Sequence, residues 1–206
     1  MDSSINKLIE IFKKFPTVGQ RTASRFVYYL ARQPKDKVKE IADVILELKN
    51  NVNLCKFCFN PFEATTGQEP ENQLCPICRD QRRNKKMLCV IEKEADLLSI
   101  ENTKKYNGLY FILGGTLLMM RKEDFGNLRI AEFKNRISKN NFSEIIIALN
   151  PTPEGTSTSV LLEKIIKSSD PPLNVKISHL ARGIPVGGEL EYADQETLES
   201  AFEGRN

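Results

Sequence analysis

The chain has 206 residues, a charged fraction of 28% and a formal net charge of +3 at neutral pH. At roughly 100–200 residues per domain, this length predicts one or two compact units. No apolar stretch approaches the ~18–20 residues that span a bilayer, and residues 1–7 lack the basic start and apolar run of a signal peptide. We therefore expect a cytoplasmic protein with no membrane partner. The net charge is too small to indicate by itself that the protein binds nucleic acid.

Three apolar stripes at helical spacing occupy the N-terminal fifty residues. They predict helices over 4–14, 21–32 and about 36–48. Together these helices make up a predicted helical region over residues 1–53. Ten bases against six acids in residues 1–50 suit a phosphate-binding face, although charge alone favours an ordinary solvated surface.

Four cysteines follow as two Cys-x2-Cys pairs that are sixteen residues apart: Cys55, Cys58, Cys75 and Cys78. Two residues between thiolates let one chain reversal present both sulfurs to one metal ion, and two such pairs complete a tetrahedral shell. A closed shell has no position for water, so the pattern predicts one structural zinc ion in a module over residues 54–80. The alternatives are four unrelated cysteines or a redox pair. The fifth cysteine, Cys89, lies in an apolar strand pattern and is expected to pack in the core.

From residue 87 onward, continuous apolar strands alternate with helical patterns. Strands are predicted over 88–91, 109–113, 145–149 and 175–178, helices over 95–102, 126–138 and 156–168, and a loop over 150–155. This alternation predicts an α/β domain over residues 81–178, with a mixed or parallel sheet covered on both faces. Residues 179–206 are predicted to form an extended C-terminal segment.

The turn Phe15-Pro16-Thr17-Val18-Gly19-Gln20 resembles that of a helix-hairpin-helix motif. Such a turn aims backbone N–H groups outward from the start of the second helix, where anions bind. Arg21 and Arg25 lie four residues apart, so they share a helix face and could contact successive phosphates. Thr17 stands where the motif usually has its first glycine. An ordinary helix pair with solvated arginines would have a similar sequence.

Polar residues follow two of the predicted strands: Glu92 after the first, and Asn150, Thr152 and Glu154 after the third. A glutamate ending one strand and an Asp-x-Asp ending another is the Toprim pattern, in which carboxylates gather around Mg²⁺. Asn150 and Thr152 occupy the two aspartate positions and carry no charge. The remaining acids, Glu92 and Glu154, could hold a metal ion only weakly.

Four features occur in one order: the Pro-x-Val-Gly hairpin, the cysteine pairs, the Asn-Pro-Thr-x-Glu-Gly loop and the run Gly-Ile-Pro-Val-Gly-Gly-Glu-Leu-Glu-Tyr. With these features the chain resembles the RecR family of bacterial recombination mediators over nearly its whole length. That family's Toprim loop also has Asn and Thr in place of aspartates. Thr17 departs from the family pattern, and so does the loop over residues 116–122.

The resemblance implies a non-enzymatic, DNA-binding mediator of recombinational DNA repair. Such proteins act with RecO and RecF and help to load recombinase at single-stranded gaps. It implies that Arg21 and Arg25 contact single- and double-stranded DNA. It further implies that Glu92, Asn150 and Glu154 lie in a Toprim region that contributes to the RecO interface.

The resemblance also implies self-association from dimers to a ring-like tetramer, with residues 179–206 as an oligomerisation segment and one Zn²⁺ per chain. Two other functions stay open. A Mg²⁺-dependent Toprim enzyme acting on nucleic acid would need acids at positions 150 and 152. A zinc-stapled adaptor without DNA contact would be indifferent to charge reversal at Arg21 and Arg25.

Overall fold

The computed structural model of the chain describes residues 3–63, 73–117, 128–169, 171–172, 174–181, 183–184 and 186–204. The chain divides into two compact units, Met1–Val52 and Asn53–Asn206. The further division of the second unit at 54–80, 81–178 and 179–206 stays a prediction. No helix among the described residues has the length and apolar character needed to cross a membrane.

The first unit consists of three helices, α1 (Ser4–Phe12), α2 (Gln20–Ala31) and α3 (Lys35–Asn51). Ser3 begins α1, because its side chain accepts a hydrogen bond from the backbone N–H of Ile5. A small core forms between α1 and α2 from Ile9, Ala23 and Val27, with Leu8, Phe12 and Val18 packed against it. The third helix buries none of its residues within the chain.

The chain then continues with short elements and a larger α/β region. The two paired strands β1 and β2 come first, and the elements are, in order, β1 (Val52–Leu54), β2 (Pro61–Glu63), α4 (Pro76–Arg79), β3 (Met87–Ile91), α5 (Glu94–Asn102), β4 (Leu109–Ile112), α6 (Ile130–Lys139), β5 (Glu144–Ala148), α7 (Pro153–Lys167), β6 (Lys176–His179), a 3₁₀ helix (Leu190–Tyr192) and α8 (Gln195–Glu203).

Four strands form one sheet in the order β4-β3-β5-β6, and every neighbouring pair is parallel. Alternate residues of β3 enter two different cores, as the strand period of two requires. Leu88 and Val90 pack with α6 and α7 on one face. Cys89 and Ile91 pack with α5 and the cysteine loop on the other. The predicted α/β class, with a parallel sheet covered on both faces, is thereby confirmed.

Two elements differ from the sequence prediction. The loop predicted over 150–155 ends early, because α7 begins at Pro153. The hydroxyl of Thr152 caps that helix by accepting a hydrogen bond from the N–H of Gly155 at 3.1 Å. The C-terminal segment, predicted as extended, contains the 3₁₀ helix and α8. Asp194 caps α8 by accepting a hydrogen bond from the N–H of Thr197 at 2.9 Å.

Two other predictions fall partly on residues that are not described. The helix predicted over 126–138 is α6, Ile130–Lys139, and residues 126–127 lie outside the described part of the chain. Of the divergent loop 116–122, only residues 116–117 are described.

Candidate metal centre and nucleic-acid interface

The four paired cysteines meet in one buried cluster. Their sulfurs all lie within 4.8 Å of one another, and each side chain is at most 7% exposed. Cys58 and Cys75 come from different pairs, and their Sγ atoms are 3.5 Å apart. Among the described residues this is the one group of three or more Cys, His, Asp or Glu side chains placed to share a metal ion.

The donor set and its spacing fit a four-coordinate metal ion. Zinc–sulfur bonds of about 2.3 Å in a tetrahedron imply sulfurs about 3.8 Å apart. This value lies between the 3.5 Å that separates the Sγ atoms of Cys58 and Cys75 and the 4.8 Å within which all four sulfurs lie. Hydrogen bonding within the cluster shifts the thiol pKa values in opposite directions. The bond with Cys58 lowers the pKa of Cys55, and the bond with Cys55 raises the pKa of Cys78. Four thiols in such contact cannot all ionise unless a cation lies between them. The site is therefore suited to a metal ion that keeps four thiolates.

Cys89 packs in the same core as the four paired cysteines but is not one of the group that could share a metal ion. It lies within β3 at 2% exposure, and burial raises the pKa of its thiol to about 12. A thiol with that pKa remains protonated at neutral pH and is neither a ready ligand nor a nucleophile. Its position matches the predicted core role.

The sheet and a lysine hold the cysteine loops by their backbone. The N–H of Ile112, in the edge strand β4, donates to the carbonyl of Cys58 at 3.0 Å. The ammonium of Lys85 donates to the carbonyl of Cys78 at 2.8 Å and to that of Asp80 at 2.7 Å. Sequence reasoning missed Lys85, because a lysine in a basic run is ordinarily solvated surface.

The hairpin between α1 and α2 has a left-handed residue at Thr17, where φ is 63°. Glycine adopts this conformation freely, whereas a β-branched residue does so at a cost. The backbone at this position therefore has a conformation that favours glycine, although threonine occupies it. The turn closes through a hydrogen bond from the N–H of Val18 to the carbonyl of Phe15 at 3.1 Å.

The start of α2 is open on its outer side. Gly19 precedes the helix and provides no side-chain cap, and a Cβ atom added to it would meet nothing within 4 Å. Arg21 and Arg25 lie on this helix and are exposed. Neither forms an ion pair with any acidic side chain in the described ranges. The structure thus places the two arginines on an accessible face, one turn apart.

The carboxyl ends of the central strands bring Glu92 and Asn150 together. The amide of Asn150 donates to the Glu92 carboxylate at 2.9 Å, and the backbone carbonyl of Glu92 accepts from the N–H of Gly114 at 2.9 Å. Glu154 lies in the first turn of α7, half-buried. Within the described residues, no trio of acids forms at this edge of the sheet.

Gly155 fixes the shape of the loop that carries Asn150. A Cβ atom on residue 155 would lie 2.0 Å from the carbonyl oxygen of Asn150, so the backbone approach allows no side chain. The glycine that closes the Asn-Pro-Thr-x-Glu-Gly run is therefore a requirement of packing. It lets α7 start immediately beneath the polar edge of the sheet.

Comparison with protein families gives three matches in chain order. Residues 5–49 match a family model described as "RecR, helix-hairpin-helix", residues 86–181 one described as "Toprim domain", and residues 183–206 one described as "RecR, C-terminal". The matches account for the two ends of the chain and its α/β region.

Curated proteins are similar over almost the full chain. The "Recombination protein RecR" of Dehalococcoides mccartyi is 38% identical over 202 residues, which cover 98% of this chain and 93% of that protein. The protein of the same name from Clostridium perfringens is 40% identical over 202 residues, 98% of this chain and 96% of its own. The one from Bifidobacterium animalis subsp. lactis is 39% identical over 204 residues, 99% and 96% of the two chains.

Proposed function

The chain belongs to the RecR family, and from that membership we propose that it is a cytoplasmic, DNA-binding mediator of recombinational repair that works with RecO and RecF. It helps to load recombinase at single-stranded gaps and has no catalytic activity of its own. The observation that carries the proposal is the hairpin, where the open start of α2 lies beside two exposed arginines that form no ion pair within the described part of the chain.

DNA contact at the hairpin combines two kinds of donor. The first backbone N–H groups of α2 have no partner within the helix and favour anions. Arg21 and Arg25 add mobile positive charge along the same face, which displaces counterions from phosphates. Both donors read the phosphate backbone, so binding is independent of base sequence and includes single and double strands.

Charge reversal tests this contact. The double variant Arg21→Glu with Arg25→Glu should weaken binding to labelled DNA, and each lost phosphate contact should lower the log–log salt slope by about 1. Lys35→Glu with Lys39→Glu is the matched control, because it makes the same charge change at the same spacing on α3. Equal binding by the folded arginine variant and the wild type would favour the adaptor without DNA contact.

A second variant tests the backbone part of the contact. Gly19→Ser should leave folding intact, because serine is a good helix cap and nothing within 4 Å opposes the new side chain. The added atoms occupy the space a phosphate needs, so DNA affinity should fall. Unchanged affinity would limit the contact to the arginine side chains.

The cysteine cluster is a structural zinc site in this proposal. Cys55, Cys58, Cys75 and Cys78 would hold one Zn²⁺, which fastens the loops to each other and leaves no position for substrate. Metal analysis of the purified protein should give about one zinc per chain. Cys55→Ser should lower that ratio and destabilise the second unit, whereas Cys89→Ser should leave the metal content unchanged. Folded wild-type protein without zinc would contradict the assignment.

The polar edge of the sheet is the proposed RecO surface. Asn150 is exposed there, and Glu92 and Glu154 are half-buried, so these residues present amide and carboxylate groups that cations or N–H donors of a partner can bind. Glu154→Lys should weaken capture of RecO, and Glu132→Lys on the exposed side of α6 is the charge-matched control. Equal loss in both variants would indicate a general charge effect instead.

Self-association is supported by two groups of apolar side chains that are exposed in the part of the chain that the structure describes. On α3 the exposed residues are Val38, Ile41, Val44, Ile45 and Leu48. In the C-terminal segment they are Leu180, Val186, Leu190, Tyr192 and Phe202. Two separate surfaces, each pairing with its copy on another chain, can close into a ring of four.

Light scattering over a concentration series tests the ring. The wild type should pass from dimer to tetramer, and Ile41→Glu with Ile45→Glu should stop at a dimer that forms through the C-terminal segment. Leu190→Glu with Phe202→Glu should stop at a dimer that forms through α3. A wild type that stays monomeric at roughly tens of micromolar, where weak dimers populate by mass action, would contradict the encircling arrangement.

A further inference from the structure

Arg136, on α6, contacts both residues that separate the first cysteine pair. Its Nη2 donates to the carbonyl of Lys56 at 2.6 Å. Its guanidinium lies over the ring of Phe57, 4.1 Å from the centroid. Lys56 and Phe57 are the only residues between Cys55 and Cys58. One side chain therefore links the segment between the first two sulfurs to α6.

A buried nitrogen of the same side chain has no acceptor. In the part of the chain that the structure describes, Nε of Arg136 is the one buried side-chain nitrogen or oxygen without a hydrogen-bond partner. A buried donor of this kind loses its water without replacement, which costs free energy. The cost is greater for a charged group, so a compensating negative charge should lie close by.

The cysteine cluster provides that charge. Arg136 contacts Lys56 and Phe57, so its guanidinium lies against the segment that joins Cys55 to Cys58. When four thiolates bind a divalent zinc ion, the site keeps two negative charges. A buried net charge is stable only beside opposite charge or hydrogen-bond donors.

We propose that Arg136 is the positioning cation of the metal centre, which offsets the negative charge of the loaded four-thiolate site and holds its first cysteine pair against α6. The inference rests on the proposed zinc site. Arg136 neither coordinates the metal nor contacts DNA in this role. Removing its charge should weaken metal retention even where its packing is preserved.

A second arginine offers an internal comparison. Arg129 also lies over a phenylalanine, with its guanidinium 4.8 Å from the centroid of Phe59. It donates to the carbonyl of Ile112 at 2.9 Å, which belongs to the sheet and not to the segment between two cysteines. Arg129 and Arg136 thus share stacking and carbonyl contact, and they differ in the unpaired buried Nε.

The test is zinc release from the full-length, zinc-loaded protein to a competing chelator. Arg136→Met keeps the apolar stem and removes the charge, and it should weaken zinc affinity by about 10–100-fold, the usual effect of losing a group that supports metal ligands. Arg136→Lys keeps the charge but stacks less well on Phe57, so it should retain zinc better than Arg136→Met does. Arg129→Met should stay within about threefold of wild type. Wild-type retention in Arg136→Met, or equal loss in Arg129→Met, would overturn the proposal.

A cobalt-substituted protein separates charge from packing. Removing a nearby cation makes thiolates easier to oxidise, so the sulfur-to-cobalt charge-transfer band of Arg136→Met should move to lower energy while that of Arg129→Met stays in place. An unmoved band in Arg136→Met would leave Arg136 a packing residue and overturn the proposal.

If Arg136→Met does not fold, the variants Arg136→Lys and Phe57→Leu test the proposal instead, since both keep the charge and should retain zinc. Zinc loss in both would overturn the proposal, whereas wild-type protein without zinc would refute the metal site itself.

Discussion

The amide of Asn150 donates a 2.9 Å hydrogen bond to the carboxylate of Glu92, linking the carboxyl ends of β5 and β3. An aspartate at position 150 would place a second carboxylate at this distance, and the two like charges would repel each other unless a cation lay between them or one of them took up a proton. The amide of Asn150 instead donates a hydrogen bond directly to the Glu92 carboxylate. The edge of the sheet is therefore stable without the metal that a Toprim enzyme would require.

Asn150→Asp should make the protein dependent on a divalent cation. Replacing the donor by a second negative charge should destabilise the fold by about 0.5–1.5 kcal/mol, since the pair is solvent-exposed, or roughly 1–6 °C in melting temperature. Mg²⁺ should restore part of that loss, because the paired carboxylates gain a hard cation to share. Thermal unfolding with and without Mg²⁺ measures both effects.

The wild type and Asn150→Ala are the controls for this experiment. Neither has the second carboxylate, so Mg²⁺ should not change their melting temperatures. A Mg²⁺ response in the wild type equal to that of Asn150→Asp would show that Glu92 and Glu154 already bind the ion.

Gly155→Ala should distort the loop that carries Asn150. The new Cβ would lie 2.0 Å from the carbonyl oxygen of Asn150, a clash that backbone movement must relieve at a cost of about 1–3 kcal/mol. Denaturant unfolding measures the loss. Gly183→Ala is the matched control, because its Cβ would meet nothing within 4 Å. Equal stability of the two variants would mean that the loop adjusts freely.

Thr17→Gly should stabilise the first unit. A left-handed conformation costs a residue with a side chain about 1–2 kcal/mol, and glycine loses about 0.5–1 kcal/mol of that advantage through unfolded-state entropy. The net gain should be about 0.5–1 kcal/mol. Circular dichroism of thermal unfolding measures it. Thr17→Ala keeps a Cβ atom and should gain less, and a Thr17→Gly protein that melts below the wild type would contradict the strain.

Asp80 should titrate at unusually low pH. Hydrogen bonds from the side chain and backbone of Arg82 lower the pKa of Asp80 to about 2. The interaction therefore stabilises the fold at neutral pH, and the contribution disappears as pH falls through about 2. Arg82→Ala should raise the pKa toward the ordinary 3.8, as followed by carboxyl resonances in a pH series. Arg79→Ala is the control, and an unchanged pKa in Arg82→Ala would contradict the assignment.

The local sequence pattern was sufficient to predict the strands of the sheet. Each strand of the sheet is a short apolar run, and the structure begins and ends these strands within one or two residues of the predicted positions. The start of α7 was missed although its signals are present, with Thr152 as a cap and Pro153 in the first turn. The Asn-Pro-Thr-Pro composition favoured a loop more strongly. For α8, the Asp194 cap was a usable signal, but the residues after it show no strong apolar stripe.

Long-range contacts could not be predicted from the chain. Arg136 and Lys56 are 80 positions apart in sequence, and no local rule relates an arginine on an amphipathic helix to a cysteine pair. The proximity of Asn150 and Glu92 was easier to predict, because parallel strands bring their carboxyl ends to one edge of the sheet. Spacing alone was enough to predict the cysteine cluster, since its pattern is local within each pair.

The hydrogen bond from Ile112 to Cys58 covers part of an edge strand that could otherwise pair with other molecules. In the sheet that the structure describes, β4 is an edge strand, and an open edge invites pairing with strands of other molecules. The cysteine loop occupies part of that edge by accepting the N–H of Ile112. A chain whose loop came away would uncover this strand before the sheet itself melted, so damage at the cysteines should appear first as intermolecular strand pairing and precipitation.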